Sequence, residues 1–116
     1  MITYEYNLDV TPGGDPLEVN LNENDSDFSL VFKLESRLGT FSVEAGTTAK
    51  IHGKKSDGST YEANAAVDVD AKTVTVDGDG NLTDEAGKGV FEICLTHAEK
   101  DLHTANFKIC VEKSPQ

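Results

Sequence analysis

Apolar and polar residues alternate with a period of two along most of this chain, and no other feature limits its fold more. Successive side chains of a strand point to opposite faces, so each alternating segment presents one apolar face to a core. No segment shows the sustained period of 3.6 that an amphipathic helix requires. The alternating segments cover residues 2–10, 16–21, 28–34, 48–54, 60–70 and 72–78, followed by a final hairpin over 90–113.

Turn-forming residues separate these segments. Stretches rich in Gly, Pro, Asn, Asp and Ser fall between them, for example at 11–16 and 54–60. Short strands at this spacing predict an all-β fold, namely an antiparallel Ig-like β-sandwich of about seven to eight strands. One helical turn is expected within residues 82–89, with Thr83 as its cap.

The length predicts a single domain. A chain of 116 residues buries roughly two-thirds of the surface that its unfolded form exposes, so it can fold without a metal or disulfides. We expect the β-sandwich to span residues 1–112. Residues 113–116 are expected to form a frayed tail or the start of a linker to a C-terminal region.

The charge of the chain disfavours two classes of partner. Its formal net charge is −11, whereas binding of phosphates needs clustered Lys and Arg, and anionic membranes repel an acidic surface. We therefore expect no nucleic acid and no membrane among its partners, and the polar residues 1–10 do not resemble a signal peptide. The acidic loops 22–27 and 77–81 should repel other copies of the chain and suit a basic partner surface.

The final hairpin carries the most specific local prediction. Phe91 and Ile93 share one face, as do Phe107 and Ile109, and opposed residues point to the same side of a sheet. We expect all four in the core, with Ile93 opposite Phe107 and residues 99–101 as the loop. This register also sets Glu92 opposite Lys108, Cys94 opposite Asn106 and Cys110 opposite Val90.

The same register separates the two cysteines. Cys94 and Cys110 lie four positions apart along it, roughly 13 Å at about 3.3 Å per residue, which exceeds the reach of a disulfide. We expect free thiols in a reducing compartment. His97 and His103 oppose each other without an evident third ligand, so we expect them to line a loop end rather than bind a metal.

One stretch resembles a calcium-binding loop at first, because Asp77, Asp79 and Asn81 alternate as the ligands of an EF-hand do. Leu82 stands where that loop needs glycine for its sharp turn, and Lys88 stands where it needs a bidentate glutamate. The stretch therefore predicts a turn that ends a strand, and we expect no metal and no cofactor.

Catalytic groups are not evident from the spacing of nucleophiles. Cys94 and His97 lie three positions apart, so on a strand they would point to opposite faces. The serines lack a G-x-S-x-G elbow, and Asp57–Gly58 predicts a type I′ hairpin turn. A pair of carboxylates would act in hydrolysis only within a concave cleft that splits their pKa values. We expect that the chain is not an enzyme.

Three short motifs between Gly39 and Pro115 resemble a known family. They read K-x-D-G, then T-x-x-A-G, then T-A-N-F followed by a valine. Their residues are Lys55, Asp57, Gly58, Thr83, Ala86, Gly87, Thr104, Ala105, Asn106, Phe107 and Val111. In this order they resemble the N-terminal domain of phage baseplate upper proteins and related minor structural proteins of phage tails. Ser56 departs from the family pattern, which commonly has proline at that position.

The resemblance implies a non-enzymatic part of a virion. Domains of this family have an Ig-like β-sandwich and attach a fibre or receptor-binding assembly to the phage tail baseplate or capsid. The implied partners are other virion proteins, with a homotrimer in the full-length protein. The implied location is the virion, and the host cytoplasm during assembly. The family supplies no catalytic or cofactor-binding residues.

Two other function classes remain open at this point. One is a secreted or surface-displayed Ig-like module that binds glycan or protein, and a signal peptide and anchor in the full gene would favour it. The other is a small hydrolase, which would need a pocket holding two carboxylates.

Overall fold

The computed structural model describes residues 1–115, which form nine strands and one four-residue helix. The all-β class is therefore confirmed. The strands are β1 (Ile2–Asp9), β2 (Glu18–Asn22), β3 (Phe28–Glu35), β4 (Thr48–Lys54), β5 (Thr60–Asp68), β6 (Thr73–Asp77), β7 (Gly87–His97), β8 (Lys100–His103) and β9 (Phe107–Glu112), and helix α1 covers Gly80–Thr83.

The strands form one curled, mixed sheet that resembles a half-barrel. Their order is β1-β3-β6-β5-β4-β7-β9-β2, with β8 paired to β7. The sheet curls at β5, because most of this strand pairs with β4 while its last residues, Ala66–Asp68, pair with β6. The curl brings the two halves face to face, so that the rings of Phe32 and Phe107 lie 5.0 Å apart between their centroids. The core lies between these halves.

The prediction of an antiparallel arrangement is wrong for two pairs. Strand β1 runs parallel to β3, and β2 runs parallel to β9. The reason is the loop over residues 10–17, which carries the chain from one margin of the sheet to the other instead of forming a hairpin. Alternation sets which face of a strand is buried, but it does not encode which strand lies beside it.

The alternating residues do line the core as expected. Leu30, Phe32 and Leu34 of β3 and Val19 and Leu21 of β2 are all buried. The four predicted core residues of the final hairpin are also buried, namely Phe91, Ile93, Phe107 and Ile109, each at most 2% exposed. Their placement in the core is confirmed.

The register of the final hairpin differs from the prediction by two residues. Phe107 lies opposite Phe91 rather than Ile93, and Lys108 lies opposite Val90 rather than Glu92. The cause is Thr104, whose N–H donates to the carbonyl of Ile93 while its hydroxyl accepts from the Ile93 N–H, both at 3.0 Å. Thr104 therefore occupies the position beside Ile93, and the shift by two keeps every side chain on its expected face.

An additional strand replaces the predicted loop at 99–101. Ala98 and Glu99 form a two-residue turn with φ values of 50° and 63°, which is typical of type I′ hairpins. Lys100 and Asp101 then belong to β8, so that His97 faces Lys100 and not His103.

The same change moves the cysteines. Cys94 now faces His103, while Cys110 faces Lys88. Because Lys88 and Cys94 are six residues apart on β7, the two thiols are separated by roughly 20 Å, beyond the span of a disulfide.

Two local turns also differ from their predictions. Asp79 caps helix α1 by accepting a hydrogen bond from the N–H of Asn81 at 2.9 Å, whereas Thr83 ends the helix. In the β4–β5 turn, the N–H of Gly58 donates to the carbonyl of Lys55, and Gly58 has a φ of 86°. The central residues are therefore Ser56 and Asp57 rather than a type I′ pair at Asp57–Gly58, with Gly58 as a bulge that restores the strand twist.

Strand β9 ends at Glu112. The assignment of 1–112 as the domain and 113–116 as a tail stays a prediction, and Gln116 lies outside the described residues. Within residues 1–115, helices long and apolar enough to cross a membrane are absent.

Candidate interaction surface

The first motif forms the β4–β5 turn. Asp57 Oδ1 accepts hydrogen bonds from the hydroxyl of Ser59 at 2.6 Å and from its N–H at 2.9 Å. These two bonds, the hydroxyl bond foremost, hold the pKa of Asp57 below its usual range. Asp57 is therefore an acceptor that shapes the turn.

The second motif packs directly against the first. The ammonium group of Lys55 forms an ion pair with the carboxylate of Asp84, and the hydroxyl of Ser56 donates to the carbonyl of Ala86 at 2.9 Å. Gly87 has a φ of 124°, and a Cβ atom there would lie 2.6 Å from the Cβ of Ser56. A larger residue at 87 would therefore separate the two motifs.

Thr83 connects the second motif to the loop over residues 22–27. Its side chain is fully buried, and its hydroxyl donates to the carbonyl of Asp25 at 2.6 Å. Its own carbonyl accepts from the N–H of Asn24 at 2.8 Å. The two loops singled out for their acidity, 22–27 and 77–81, consequently meet at one end of the molecule.

We call this region the acidic end and define it as the loops 22–27 and 77–85. Its carboxylates are those of Glu23, Asp25, Asp27, Asp77, Asp79, Asp84 and Glu85. Asp79 also accepts a hydrogen bond from the hydroxyl of Tyr61 at 2.9 Å. Burial raises the pKa of Tyr61 well above its usual range, and this bond to Asp79 adds to the shift. Tyr61 is therefore a neutral donor at physiological pH.

The third motif lies away from the first two. Thr104 bonds to Ile93 as described above, and the N–H of Ala105 donates to the carbonyl of Asp9 at 2.9 Å. Phe107 is completely buried against Phe32 and Phe91, whereas Asn106 is exposed. This motif therefore ties the end of β1 to the start of β9, and it does not form one site with Lys55 and Gly87.

Sequence reasoning did not single out Arg37. Its guanidinium lies 3.1 Å from Asp9 Oδ2, and its Nη2 donates to the carbonyl of Pro12 at 2.8 Å. The N–H of Thr11 and then Arg37 hold the pKa of Asp9 below its usual range. Arg37 thus clamps the 10–17 loop beside a cleft of about 490 Å³. It is the sole arginine in the chain, a signal that could have drawn attention to it.

A cysteine, a histidine and a glutamate lie together on the outer face of β7 and β8. His103 Nδ1 is 2.9 Å from Glu92 Oε1, and His103 Nε2 is 4.0 Å from Cys94 Sγ. Partial burial, followed by the charge of Asp101, raises the pKa of the Cys94 thiol. That shift disfavours the nucleophilic thiolate. The cluster escaped sequence reasoning because the pairing of Cys94 with His103 depends on the shifted register.

Metal-binding geometry is also absent from the described part of the chain. Among residues 1–115, His, Cys, Asp and Glu do not gather in groups of three or more that could hold an ion. Asp77, Asp79 and Asn81 instead belong to a strand end and a helix cap.

These features define an all-β domain built on a single curled sheet, with two parallel-paired margins and an acidic end. Among solved structures, the chain is similar to the N-terminal domain of phage TP901-1 ORF48, with a TM-score of 0.72 and 14% sequence identity. The similarity covers 97% of this chain and 100% of that one. No family model and no curated protein sequence matches the chain. At this identity the likeness establishes a shared fold.

Proposed function

We propose that this chain is a non-enzymatic structural domain of a phage virion, which attaches a fibre or receptor-binding assembly to the tail baseplate or capsid. The observation that carries the proposal is the structural match to the N-terminal domain of phage TP901-1 ORF48, which covers 97% of this chain and 100% of that one. The motif resemblance to baseplate upper proteins supports the same class from sequence. The facing halves of the core are also in keeping with the Ig-like sandwich that this resemblance implies.

The chemistry of the surface supports docking of protein on protein. An interface of this kind needs roughly 800 Å² on each partner, which is a small part of the accessible surface of 6763 Å². The net charge of −11 opposes tight association between copies of the domain. The proposed homotrimer of the full-length protein is therefore held together by a C-terminal region rather than by these residues.

Labelling of particles tests the proposed function. Antibodies against the domain, coupled to gold, should decorate gradient-purified particles produced by the strain that encodes the chain. Particles made without the gene should lose the attached fibre or receptor-binding assembly while keeping the rest of the virion. Absence of the chain from purified particles would refute the proposal, as would turnover of a glycan or peptide by the purified domain.

A further inference from the structure

The outer edge of β1 presents main-chain groups to solvent. The N–H of Ile2 donates to Asp27 and the N–H of Val10 donates to Glu35, so the even-numbered residues of β1 bond to β3. In a parallel ladder the alternate residues then point away, here Thr3, Glu5 and Asn7. Within residues 1–115, β1 ends the order of strands and pairs with β3 alone.

Most of the features that usually blunt a sheet edge are missing from β1. Natural edges are protected by charged side chains, especially lysine, by proline, by a bulge or by a short strand. Of these, β1 has only the acidic side chains of Glu5 and Asp9. Strand β1 reads ITYEYNLD, and its eight residues pair with β3 in one uninterrupted register. The edge is therefore long, regular and open.

The side chains on the inner face of β1 are incompletely covered. Tyr4 packs edge-on against Phe28 and Tyr6 stacks on Phe32, with centroid distances of 6.5 and 5.9 Å, yet both tyrosines remain partly exposed. Ile2, on the same face, is 56% exposed. An added strand would cover this apolar row while it bonded to the main chain, as in other cases of strand addition.

Charge identifies the kind of strand that fits. The acidic end lies at the start of β1, because the N-terminal ammonium is 3.5 Å from Asp27 Oδ2 and the N–H of Gly78 donates to the carbonyl of Phe28 at 2.6 Å. A strand lying along β1 and passing beyond Ile2 therefore meets the carboxylates of both acidic loops. A second copy of this chain carries the same net charge of −11, which opposes its approach to the acidic end.

We propose that the outer edge of β1 accepts an extended segment of another protein as an added strand, with apolar residues facing Ile2, Tyr4 and Tyr6 and basic residues beside the acidic end. This inference rests on the proposed function, since it names the kind of partner through which the domain docks. The edge of β2 does not offer the same site, because β2 has five residues and its apolar side chains, Val19 and Leu21, are already buried.

Amide hydrogen exchange on the purified domain tests the proposal. The probe is a synthetic peptide of about nine residues that alternates valine with threonine and carries lysines at one end. With the peptide in excess, exchange at the amides of Thr3, Glu5 and Asn7 should slow at least ~10-fold, since each is then hydrogen-bonded. A peptide with glutamates in place of the lysines is the control and should give less than a third of that protection.

Three outcomes would overturn the proposal. Protection at the β2 edge instead of β1 would place the added strand elsewhere. Equal protection by the acidic peptide would remove the basis for a basic partner. Protection of Thr3, Glu5 and Asn7 without peptide, increasing with protein concentration, would assign the edge to a second copy of the chain.

Proline substitutions provide matched variants. Glu5→Pro removes an N–H that points outward and none that bonds to β3, so it should abolish the peptide-induced protection while the fold persists. Asn20→Pro makes the same change at the outer edge of β2 and should leave the protection intact. If Glu5→Pro fails to fold, Thr3→Pro tests the same edge nearer its end. Retained protection in a folded β1 variant would contradict the proposal.

This experiment is independent of the labelling of particles. Gold labelling of virions together with an inert β1 edge would leave the proposed function standing and reject the strand site. Strand addition to β1 by a chain that is absent from virions would reject the proposed function and leave the site standing.

Discussion

The two margins of the sheet have the same type of strand pairing but differ in the burial of their inward side chains. Each ends in a strand that runs parallel to its neighbour, β1 beside β3 and β2 beside β9. The inward side chains of β2, Val19 and Leu21, are at most 3% exposed, whereas Ile2, Tyr4 and Tyr6 of β1 are partly or largely exposed. Because both margins are paired in parallel, the type of pairing does not explain the difference. The margins differ in how far their inward apolar side chains are covered.

The anchoring of the two strands does not explain this difference. Strand β2 is continued at both ends by backbone bonds to β9, from Lys108 to Leu17 and from Glu23 to Glu112. Strand β1 is continued at both ends by backbone bonds to β3, from Ile2 to Asp27 and from Val10 to Glu35. The two margins therefore differ in the burial of their inward side chains and not in their backbone bonds.

Substitution of Phe107 should have the largest effect on stability. Its ring contacts Phe32 of β3, in the half of the sheet that ends with β1, and Phe91 of β7, in the half that ends with β2. Phe107→Ala should lower the free energy of unfolding by about 3–5 kcal/mol, measured by urea denaturation. A loss below about 1 kcal/mol would mean that the two halves do not share one core, and the comparison of their margins would fail.

Truncation on the two margins should give unequal losses. Leu21→Ala removes a fully packed side chain and should cost about 2–5 kcal/mol. Tyr4→Ala removes a partly exposed one and should cost about 1 kcal/mol. Paired urea titrations compare them, and equal losses would show that the β1 margin is as well packed as the β2 margin.

Removal of the Thr104 hydroxyl should have a smaller effect that bears on the register. Thr104→Val leaves the buried N–H of Ile93 without its acceptor, which should cost about 1–3 kcal/mol. Thr104→Ser keeps the hydroxyl and is the control. In Thr104→Ser, contacts between amide protons of β7 and β9 measured by NMR should still report the Phe91–Phe107 register. If Thr104→Ser lowers the free energy of unfolding as much as Thr104→Val does, the methyl group of Thr104 is responsible instead of its hydroxyl.

The smallest effect concerns the pH dependence of stability that arises from Asp9, the last residue of β1. The pKa of Asp9 is lowered in the folded state, chiefly by the N–H of Thr11. Its contribution to stability is therefore present above the unfolded-state pKa, near 4, and is lost as pH falls through the lower folded-state value. Carboxyl NMR titration should show Asp9 titrating below exposed carboxylates, and Asp9→Asn should flatten the acid dependence of the urea midpoint. A normal titration of Asp9 would contradict the clamp.

Prediction from the sequence succeeded for burial and failed for the pairing of the two margins and for the register of the final hairpin, and the reasons are physical. Alternation depends on the residue and its nearest neighbours, so the inward faces of β3 and the final hairpin followed directly from it. The two parallel margins depend on the 10–17 loop, whose crossing is held by Arg37 and Asp9, residues distant in sequence. The hairpin register depends on one threonine hydroxyl, which no periodicity reports.

The candidate interaction surface was also predictable from the sequence only in part. The acidity of loops 22–27 and 77–81 was evident from composition, but their junction through Thr83 and Asp25 requires the folded chain. The openness of β1 was not predictable, since β1 and β2 show the same alternation and differ in what lies against them.

The two ends of the described chain are attached to a single loop, and this has a mechanical consequence. The N-terminal ammonium contacts Asp27, and the N–H of Ser114 donates to Glu23 at 3.1 Å. A load applied between these ends acts across the strands rather than along them, so it opens the outer ladders one hydrogen bond at a time, like a zipper. Force spectroscopy between Met1 and Ser114 should therefore record a low-force, stepwise release, in contrast to the abrupt high-force rupture of strands loaded in shear.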